Sequence, residues 1–325
     1  MRMFDITALG ELLIDFAPLG TTEGGVPTFG ANPGGAPANL LAMASRLGRK
    51  TAFMGKVGDD AFGESLKQTL ETYSIDTSAL VLDKAFPTTL AFIHYDRGGN
   101  RSFSFYRHLG ADTQLRADEL RQEVIEGCSL FHFGSLSLTD EPSRSATYEA
   151  VELAKKSGKL VSYDPNYRPL LWKSEKLALE QMSKAIAYAH IMKVSDEELG
   201  LLTGTNDIAT GAKMVLAMGP VLLFVTAGPK GAYYFTDKHK GFIRAYKVRT
   251  IDTTGAGDAF FGAALSMLCS LTVETIKALR PEQLDHILAF ANAAGSLTTT
   301  KKGAIPAQPT RDEILQCVKD AIFEA

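Results

Sequence analysis

The run Ile251 to Leu265, IDTTGAGDAFFGAAL, sets three small residues, Gly255, Ala256 and Gly257, directly before a carboxylate, Asp258. Glycines let a backbone approach a ligand closely and turn successive N–H groups the same way. A helix starting at about Asp258 brings its positive N-terminal end to the same point. Such a turn holds an anion. A phosphate that is merely bound gains nothing from an acid beside it, but a phosphoryl group in transfer does. The amides hold it while Asp258 aligns the attacking hydroxyl and takes its proton. The field of the helix end is expected to keep that carboxylate ionised. The plainer alternative is an aspartate capping a helix after a glycine turn.

Other stretches carry groups suited to the same chemistry. NPGGAPANL (Asn32–Leu40) joins a glycine pair, Gly34 and Gly35, to a helix start, and Asn39 adds a donor and an acceptor in the first helical turns. Asp15, in GELLIDF, falls where a strand ends, the place where open α/β sheets bind ligands, and a carboxylate there suits a pair of sugar hydroxyls. SYDPNYRPLLW puts Asp164, Asn166 and Arg168 at another strand end before Pro169 breaks the chain. In KVSDEELGLLTG the acids Asp196, Glu197 and Glu198 have the chemistry to hold a hydrated Mg²⁺. VTAGPKGAYYF offers Thr226, Gly228 and Gly231 as a backbone surface for nucleotide phosphate or ribose. Each of these alone also fits a turn, a loop or acids that complement a helix dipole.

The elements that must position these groups alternate along the chain. FDITAL (Phe4–Leu9), TAFMGKV (Thr51–Val57), SLFHF (Ser129–Phe133), LVSYD (Leu160–Asp164), HIMKV (His190–Val194) and VLLFVT (Val221–Thr226) are continuous apolar runs, as in strands covered on both faces. Helical patterns occupy Pro37–Gly48, Asp60–Tyr73, Glu141–Gly158 and Ile208–Gly219, several of them closed by a glycine. The expectation is an α/β fold whose doubly wound, mostly parallel sheet carries helices on both faces. Two segments break the pattern. Leu12–Pro33 is rich in Gly, Pro and Thr, and Thr88–Tyr106 reads as a hairpin around Arg97–Asn100. A hairpin beside a parallel core would serve as a lid, a dimer surface or an ordinary edge.

Bulk properties narrow the classes. The 325 residues are 45% hydrophobic and 22% charged with a net charge of −3 and no basic block, which argues for one large α/β domain and against a nucleic-acid partner. The first residues lack the zones of a signal peptide. The longest apolar stretch, Ala259–Leu271, falls short of the roughly 20 residues needed to span a bilayer, so no membrane partner is expected. Cys128, Cys269 and Cys317 are widely spaced with no CxxC, which suggests buried thiols in a reducing cytoplasm. There is no GxxxxGK[ST], and a dinucleotide fingerprint fails because Phe260 stands where its third glycine would be.

Taken together these stretches resemble the PfkB family of ribokinase-like carbohydrate kinases. The resemblance runs from GELLIDF to KKGAIP and includes both glycine-rich signatures, around Gly34–Asn39 and at DTTGAGDAF. It implies a single doubly wound kinase domain over residues 1–325. A small β-sheet lid would come from about 12–33 and 88–107, its edges often pairing into a homodimer. It implies Asp258 as catalytic base and Gly255, Ala256 and Gly257 as anion hole. Asp15, Gly34, Gly35 and Asn39 would hold the sugar. Lys193, Ser195, Thr226, Gly228 and Gly231 would line the ATP site, with Asn292 near adenine and Glu198 reaching Mg²⁺ through water. A monovalent cation, K⁺, would match Asp252, Thr254, Thr298, Lys301, Gly303 and Ala307, mostly through backbone oxygens. The family's Asn-x-x-Glu run reads Ser195-Asp196-Glu197-Glu198 here, a departure at its first position.

Within the family, GELLIDF, NPGGAPANL, DPNYRPLLW, KVSDEEL and TTTKKGAIPA are most similar to fructokinase members, which implies transfer from ATP to the C6 hydroxyl of fructose. Phe103, Arg107, Asn166 and Arg168 become sugar-facing candidates. The alternatives are a 2-keto-3-deoxygluconate kinase, whose acidic substrate calls for spare cations, and a kinase-fold sugar-binding protein without turnover.

Overall fold

The computed structural model describes residues 3–95 and 101–323, so the hairpin tip expected at Arg97–Asn100 lies outside the described residues. The strands are β1 (Phe4–Leu9), β2 (Leu13–Thr21), β3 (Pro27–Gly34), β4 (Thr51–Gly58), β5 (Ile75–Asp83), β6 (Leu90–Tyr95), β7 (Arg101–Tyr106), β8 (Cys128–Gly134), β9 (Leu160–Asp164), β10 (Ile191–Ser195), β11 (Leu222–Thr226), β12 (Gly231–Phe235) and β13 (Lys240–Arg244). The helices are α1 (Ala36–Arg46), α2 (Ala61–Thr72), α3 (Gln122–Glu126), α4 (Ser143–Lys156), α5 (Glu175–Ile186), α6 (Asp196–Thr203), α7 (Ile208–Leu216), α8 (Ala256–Leu268), α9 (Val273–Lys277), α10 (Pro281–Thr298) and α11 (Arg311–Phe323).

Nine strands form the large sheet in the order β13-β12-β11-β10-β9-β8-β1-β4-β5. From β5 to β11 neighbouring strands are parallel, and β12 and β13 close one edge antiparallel. The apolar runs are continuous because alternate residues feed two cores. Ile191 and Leu222 pack with α1, α8 and α10 on one face, while Met192 and Leu223 pack with α4, α5 and α7 on the other. Strand order reverses between β1 and β8, a topological switch point that opens a crevice at the carboxyl ends of the strands.

Two helices start over that crevice. α8 buries Phe261 and Leu265 completely, a gain of about 2–3 kcal/mol each. A Cβ at Gly262 would lie 2.5 Å from the Leu40 carbonyl oxygen, so the glycine lets α8 rest directly on the α1 backbone. That close approach brings the start of α1 to the start of α8.

The two segments outside the parallel pattern build a second sheet, in the order β3-β2-β6-β7. β2 pairs antiparallel with β3 and parallel with β6, and β6 pairs antiparallel with β7. Asp15, Ala91 and Phe105 are in register on one face. On the other, the Phe16 and Phe92 rings stack at 4.7 Å, with Phe29 and Tyr106 edge-on to Phe92. The sheet is fastened where it meets the core. Asp60, the N-cap of α2, accepts the Thr88 N–H at 2.8 Å, and the buried Lys56 ammonium lies 2.7 Å from both Asp83 and Glu119.

Candidate active site

A cleft of about 480 Å³ lies between the strand ends and the small sheet. Asp15, Gly35, Asn39, Phe105, Asn166, Arg168, Lys193, Ser195, Glu198, Thr226, Thr254, Gly255, Gly257 and Asp258 line it, and Glu11 joins them.

At its floor Gly255 caps α8 in the left-handed region, with φ +74°. A side chain there would be strained, and its Cβ would lie 2.6 Å from the Cβ of Ala304. The helix begins at Ala256, earlier than the expected start near Asp258, which makes Asp258 the third helical residue. The first N–H groups of a helix have no intrahelical acceptor. That of Ala256 leans on the Thr253 carbonyl at 3.3 Å, and those of Gly257 and Asp258 complete an open amide turn.

Asp258 is half-buried and accepts a 2.8 Å hydrogen bond from Asn39 Nδ2. Burial lifts its pKa above the ordinary aspartate value, although the Lys193 ammonium and the Asn39 bond pull the other way. Asn39 Oδ1 is buried and has no hydrogen-bond partner among the described residues, and the Asn39 carbonyl accepts from Gln308 Nε2 at 2.7 Å.

The remaining expected residues divide by position. Ser195 caps α6: its hydroxyl accepts from the Glu198 N–H at 3.0 Å, and Glu198 returns a 2.8 Å bond to the Ser195 N–H. The other Glu198 oxygen accepts the Tyr167 N–H at 2.7 Å. Serine at this position thus makes a capping box, and S-x-x-E is the signal for one. Gly34 lies behind the cleft, where a Cβ would fall on the Asp15 carboxylate. Gly228 and Gly231 form the turn from β11 into β12, and a Cβ at Gly231 would strike the Ile243 carbonyl.

Two placements differ from expectation: Asp15 is the third residue of β2 in the small sheet, not the end of a core strand, and Arg107 is turned into the core. Arg107 is 7% exposed, and its donors are spent on Asp112 at 2.7 Å, Thr139 Oγ1 at 2.8 Å and the Leu136 carbonyl at 2.8 Å. A buried guanidinium needs such a partner, so Arg107 ties the end of β7 to the core and leaves the sugar side to Phe105. Asn292 donates to the carbonyls of Ile243 and Arg244, at 3.2 and 2.7 Å, and so joins α10 to β13. The Phe103 side chain lies outside what is described.

The expected cation positions form two loops zipped together. Asp252 accepts from Thr254 N–H and Gly303 N–H, both at 3.0 Å, and the Ile251 and Asp252 N–H groups bond the Thr299 carbonyl. Thr298 is buried with its hydroxyl on Ala294, Ala307 is buried in a short 3-10 turn, and Lys301 points outward to Glu313. No group of three or more His, Cys, Asp or Glu side chains suited to a metal occurs among the described residues. A cation here would be held mainly by backbone oxygens, and a divalent ion mainly by phosphate and water.

Glu11 was not singled out by sequence reasoning, though it stands in the same GELLIDF run as Asp15, just past β1. Its carboxylate accepts the Ala36 N–H at 2.9 Å and so holds the start of α1. Burial pushes its pKa to about 7, against the hydrogen bonds and Arg107 that lower it. The folded protein therefore keeps this proton up to about pH 7, whereas the unfolded chain releases it near the ordinary value of 4.5. Stability drawn from the difference is present below pH 4.5 and is lost as pH rises to 7. Glu11→Gln keeps the acceptor without the titration. It is expected to match the wild type in urea unfolding at low pH and to exceed it by about 3 kcal/mol above pH 7. A gap that stays constant with pH would contradict this.

An amide turn at the start of a helix, with a carboxylate beside it at the ends of an open α/β sheet, suits phosphoryl transfer to a small hydroxyl-bearing substrate. Residues 3–311 match the pfkB family of carbohydrate kinases, and the chain belongs to that family. It is 43% identical to "Fructokinase-1" of Zea mays over 97% of this chain and 98% of that protein. It is similar in structure to a fructokinase of Xylella fastidiosa with bound ATP, at TM-score 0.90 and 31% identity over 98% and 99% of the two chains. A Vibrio cholerae fructokinase solved with fructose, ADP and calcium superposes at TM-score 0.85 and 32% identity over 96% and 98%.

Proposed function

We infer that the protein is an ATP-dependent fructokinase that moves the γ-phosphoryl group to the C6 hydroxyl of fructose. The observation that carries this reading is the meeting of Asp258 with the open amides of α8, beside Asn39, Asp15 and Gly35, in one cleft. Fructose is held by Asp15, by the backbone at Gly35 and by Asn39, whose buried Oδ1 suits a sugar hydroxyl. Asp258 takes the C6 proton as the hydroxyl oxygen bonds to the γ-phosphorus. The bond from phosphorus to the bridging oxygen breaks, and ADP leaves with that electron pair. The amides at Gly255–Asp258 hold the transferring oxygens. Lys193, Thr226, Gly228 and Gly231 lie along the path of the triphosphate and ribose.

Mg²⁺, when bound, supplies charge neutralisation on the triphosphate, and Glu198 with Ser195 stands where a hydrated ion would be oriented. K⁺ suits the paired loops at Asp252 and Gly303, which carry oxygen donors and steady the turn before Gly255. The small sheet acts as the lid over the sugar and excludes water. Its outer aromatic face, with Tyr106 at 67% and Phe29 at 38% exposure, supports pairing with a second copy. No helix among the described residues is long and apolar enough to cross a membrane, and the cysteines carry thiols, which supports a cytoplasmic location.

The charges favour a neutral sugar. Arg107 is bound to Asp112 and Lys193 to Asp164, whereas Asp15, Glu198 and Asp258 line the cleft. Among the described cleft residues, a sugar acid would find Arg168 as the one cation outside an ion pair. The test is ADP release with Mg-ATP over fructose, 2-keto-3-deoxygluconate, ribose, glucose and adenosine. Fructose is expected to lead in kcat/KM by at least about tenfold. A lead for the keto acid would replace the substrate, and sugar binding without ADP release would remove the activity.

A further inference from the structure

Beneath the amide turn lies a buried ion pair. Lys193 Nζ is 2.7 Å from Asp164 Oδ2, and the two side chains are 8% and 3% exposed. The pairing is built into the sheet. β9 and β10 are in parallel register through Ser162–Ile191 and Tyr163–Met192, and Asp164 and Lys193 are the next residues along. The ammonium also presses on α8: a Cβ at Gly257 would lie 3.2 Å from Nζ. We propose that Asp164 is a positioning residue that pins the Lys193 ammonium at Gly257, beneath the anion-binding turn, and so keeps it out of a direct ion pair with Asp258.

A buried ammonium must have a counter-charge. Three carboxylates surround Lys193: Asp164 at the end of β9, Glu198 on α6 and Asp258 on α8. Both Glu198 oxygens already accept backbone N–H groups, from Tyr167 and Ser195. Asp258 holds one bond from Asn39. Without Asp164, the less committed of the two remaining carboxylates is the base itself. A base locked to an ammonium is a weaker proton acceptor, and the cation is withdrawn from the turn where phosphoryl charge would gather. The other charged or titratable groups facing this cluster among the described residues are Arg168, beyond β9, His132 on β8 and Tyr163 on β9, whose phenol is kept neutral by burial. Burial, helped by Lys193, pushes His132 down to about 3, so it is neutral and adds no charge.

The arrangement predicts opposite effects from two residues in contact. Lys193 lowers the Asp258 pKa and Asp164 raises it. In Asp164→Asn a like charge disappears and Lys193 turns toward Asp258, so the Asp258 midpoint moves to lower pH. In Lys193→Met the midpoint moves to higher pH. The experiment follows the Asp258 carboxyl carbon by ¹³C NMR through a pH titration of the ligand-free protein, assigned by its disappearance in Asp258→Asn. Alongside it, kcat with fructose and Mg-ATP is expected to fall at least about tenfold in Asp164→Asn. Should Asp164→Asn not fold, the pair Asp164→Leu with Lys193→Met removes both charges. Its midpoint is expected to rise, because Lys193 outweighs Asp164 at Asp258.

Midpoints that move in the same direction, or not at all, would overturn the positioning role. The inference about catalysis rests on the kinase reading, but the titration does not. Midpoints that separate in a protein that fails to phosphorylate fructose would uphold the positioning and overturn only the function.

Discussion

Asp258→Asn is expected to lower kcat with fructose roughly 10²–10⁴-fold while the fold and the sugar KM change little. The substitution is isosteric, and the new amide oxygen still accepts from Asn39 Nδ2. Lys193 keeps its 2.7 Å bond to Asp164, so no buried cation is stranded. Only the proton acceptor is lost. An effect on kcat with no matching effect on KM is the mark of an interaction made in the transition state. Because burial raises the Asp258 pKa, the acid limb of kcat/KM in the wild type is expected above the ordinary aspartate range, with activity rising as the carboxyl ionises. Steady-state rates and thermal unfolding of both proteins check this. A variant within tenfold of wild type, equally folded, would remove Asp258 from the chemistry.

The sequence made the site legible where residue type and backbone position coincide. Asn166 and Lys193 reach the cleft because each stands at or just past a strand whose apolar run is easy to read, whereas Asp15 reaches it from β2, in a segment that breaks the pattern. Gly255 and Asp258 come from a glycine turn feeding a helix, a local signal that survives folding. The strands that drew no expectation are at or next to the sheet edges. β5 reads IDTSALVLD and β13 KGFIR, with polar residues facing water on one side, so neither presents the continuous apolar run of a central strand. Arg107 was misplaced because a cation after two hairpin aromatics fits a sugar site equally well. Only the folded chain shows Asp112 taking its guanidinium. The partners of Asn292, the carbonyls of Ile243 and Arg244, lie far away in sequence. Gln308 had no signal at all: its bond to the Asn39 carbonyl spans 269 residues.

The second large effect is expected from Gly35→Ala, at a residue that touches neither the phosphoryl group nor the base. Gly35 sits at φ +116°, a conformation alanine rarely adopts, and an added Cβ would lie 2.4 Å from the Glu11 carbonyl oxygen. That obstacle is backbone, so it does not rotate away. Relief requires moving either the chain after β1 or the start of α1. Both moves strain the Glu11–Ala36 bond and carry Asn39 with α1, pulling its amide from Asp258. Backbone strain and overpacking together cost on the order of 3 kcal/mol. A misplacement near 1 Å at the reacting groups costs about 10²-fold in rate. Gly35→Ala is therefore expected to lower both urea stability and kcat/KM for fructose, with the rate loss persisting under conditions where the variant is fully folded. The mechanism also ranks its neighbours. At Gly257 the nearest atom is the pinned Lys193 ammonium at 3.2 Å, a side-chain end that need shift by only a few tenths of an ångström, so Gly257→Ala should lose less stability than Gly35→Ala. Equal stability losses in the two variants would mean that the Glu11 backbone is not what fixes the start of α1, and the link from the glycine pair through Asn39 to the base would fail.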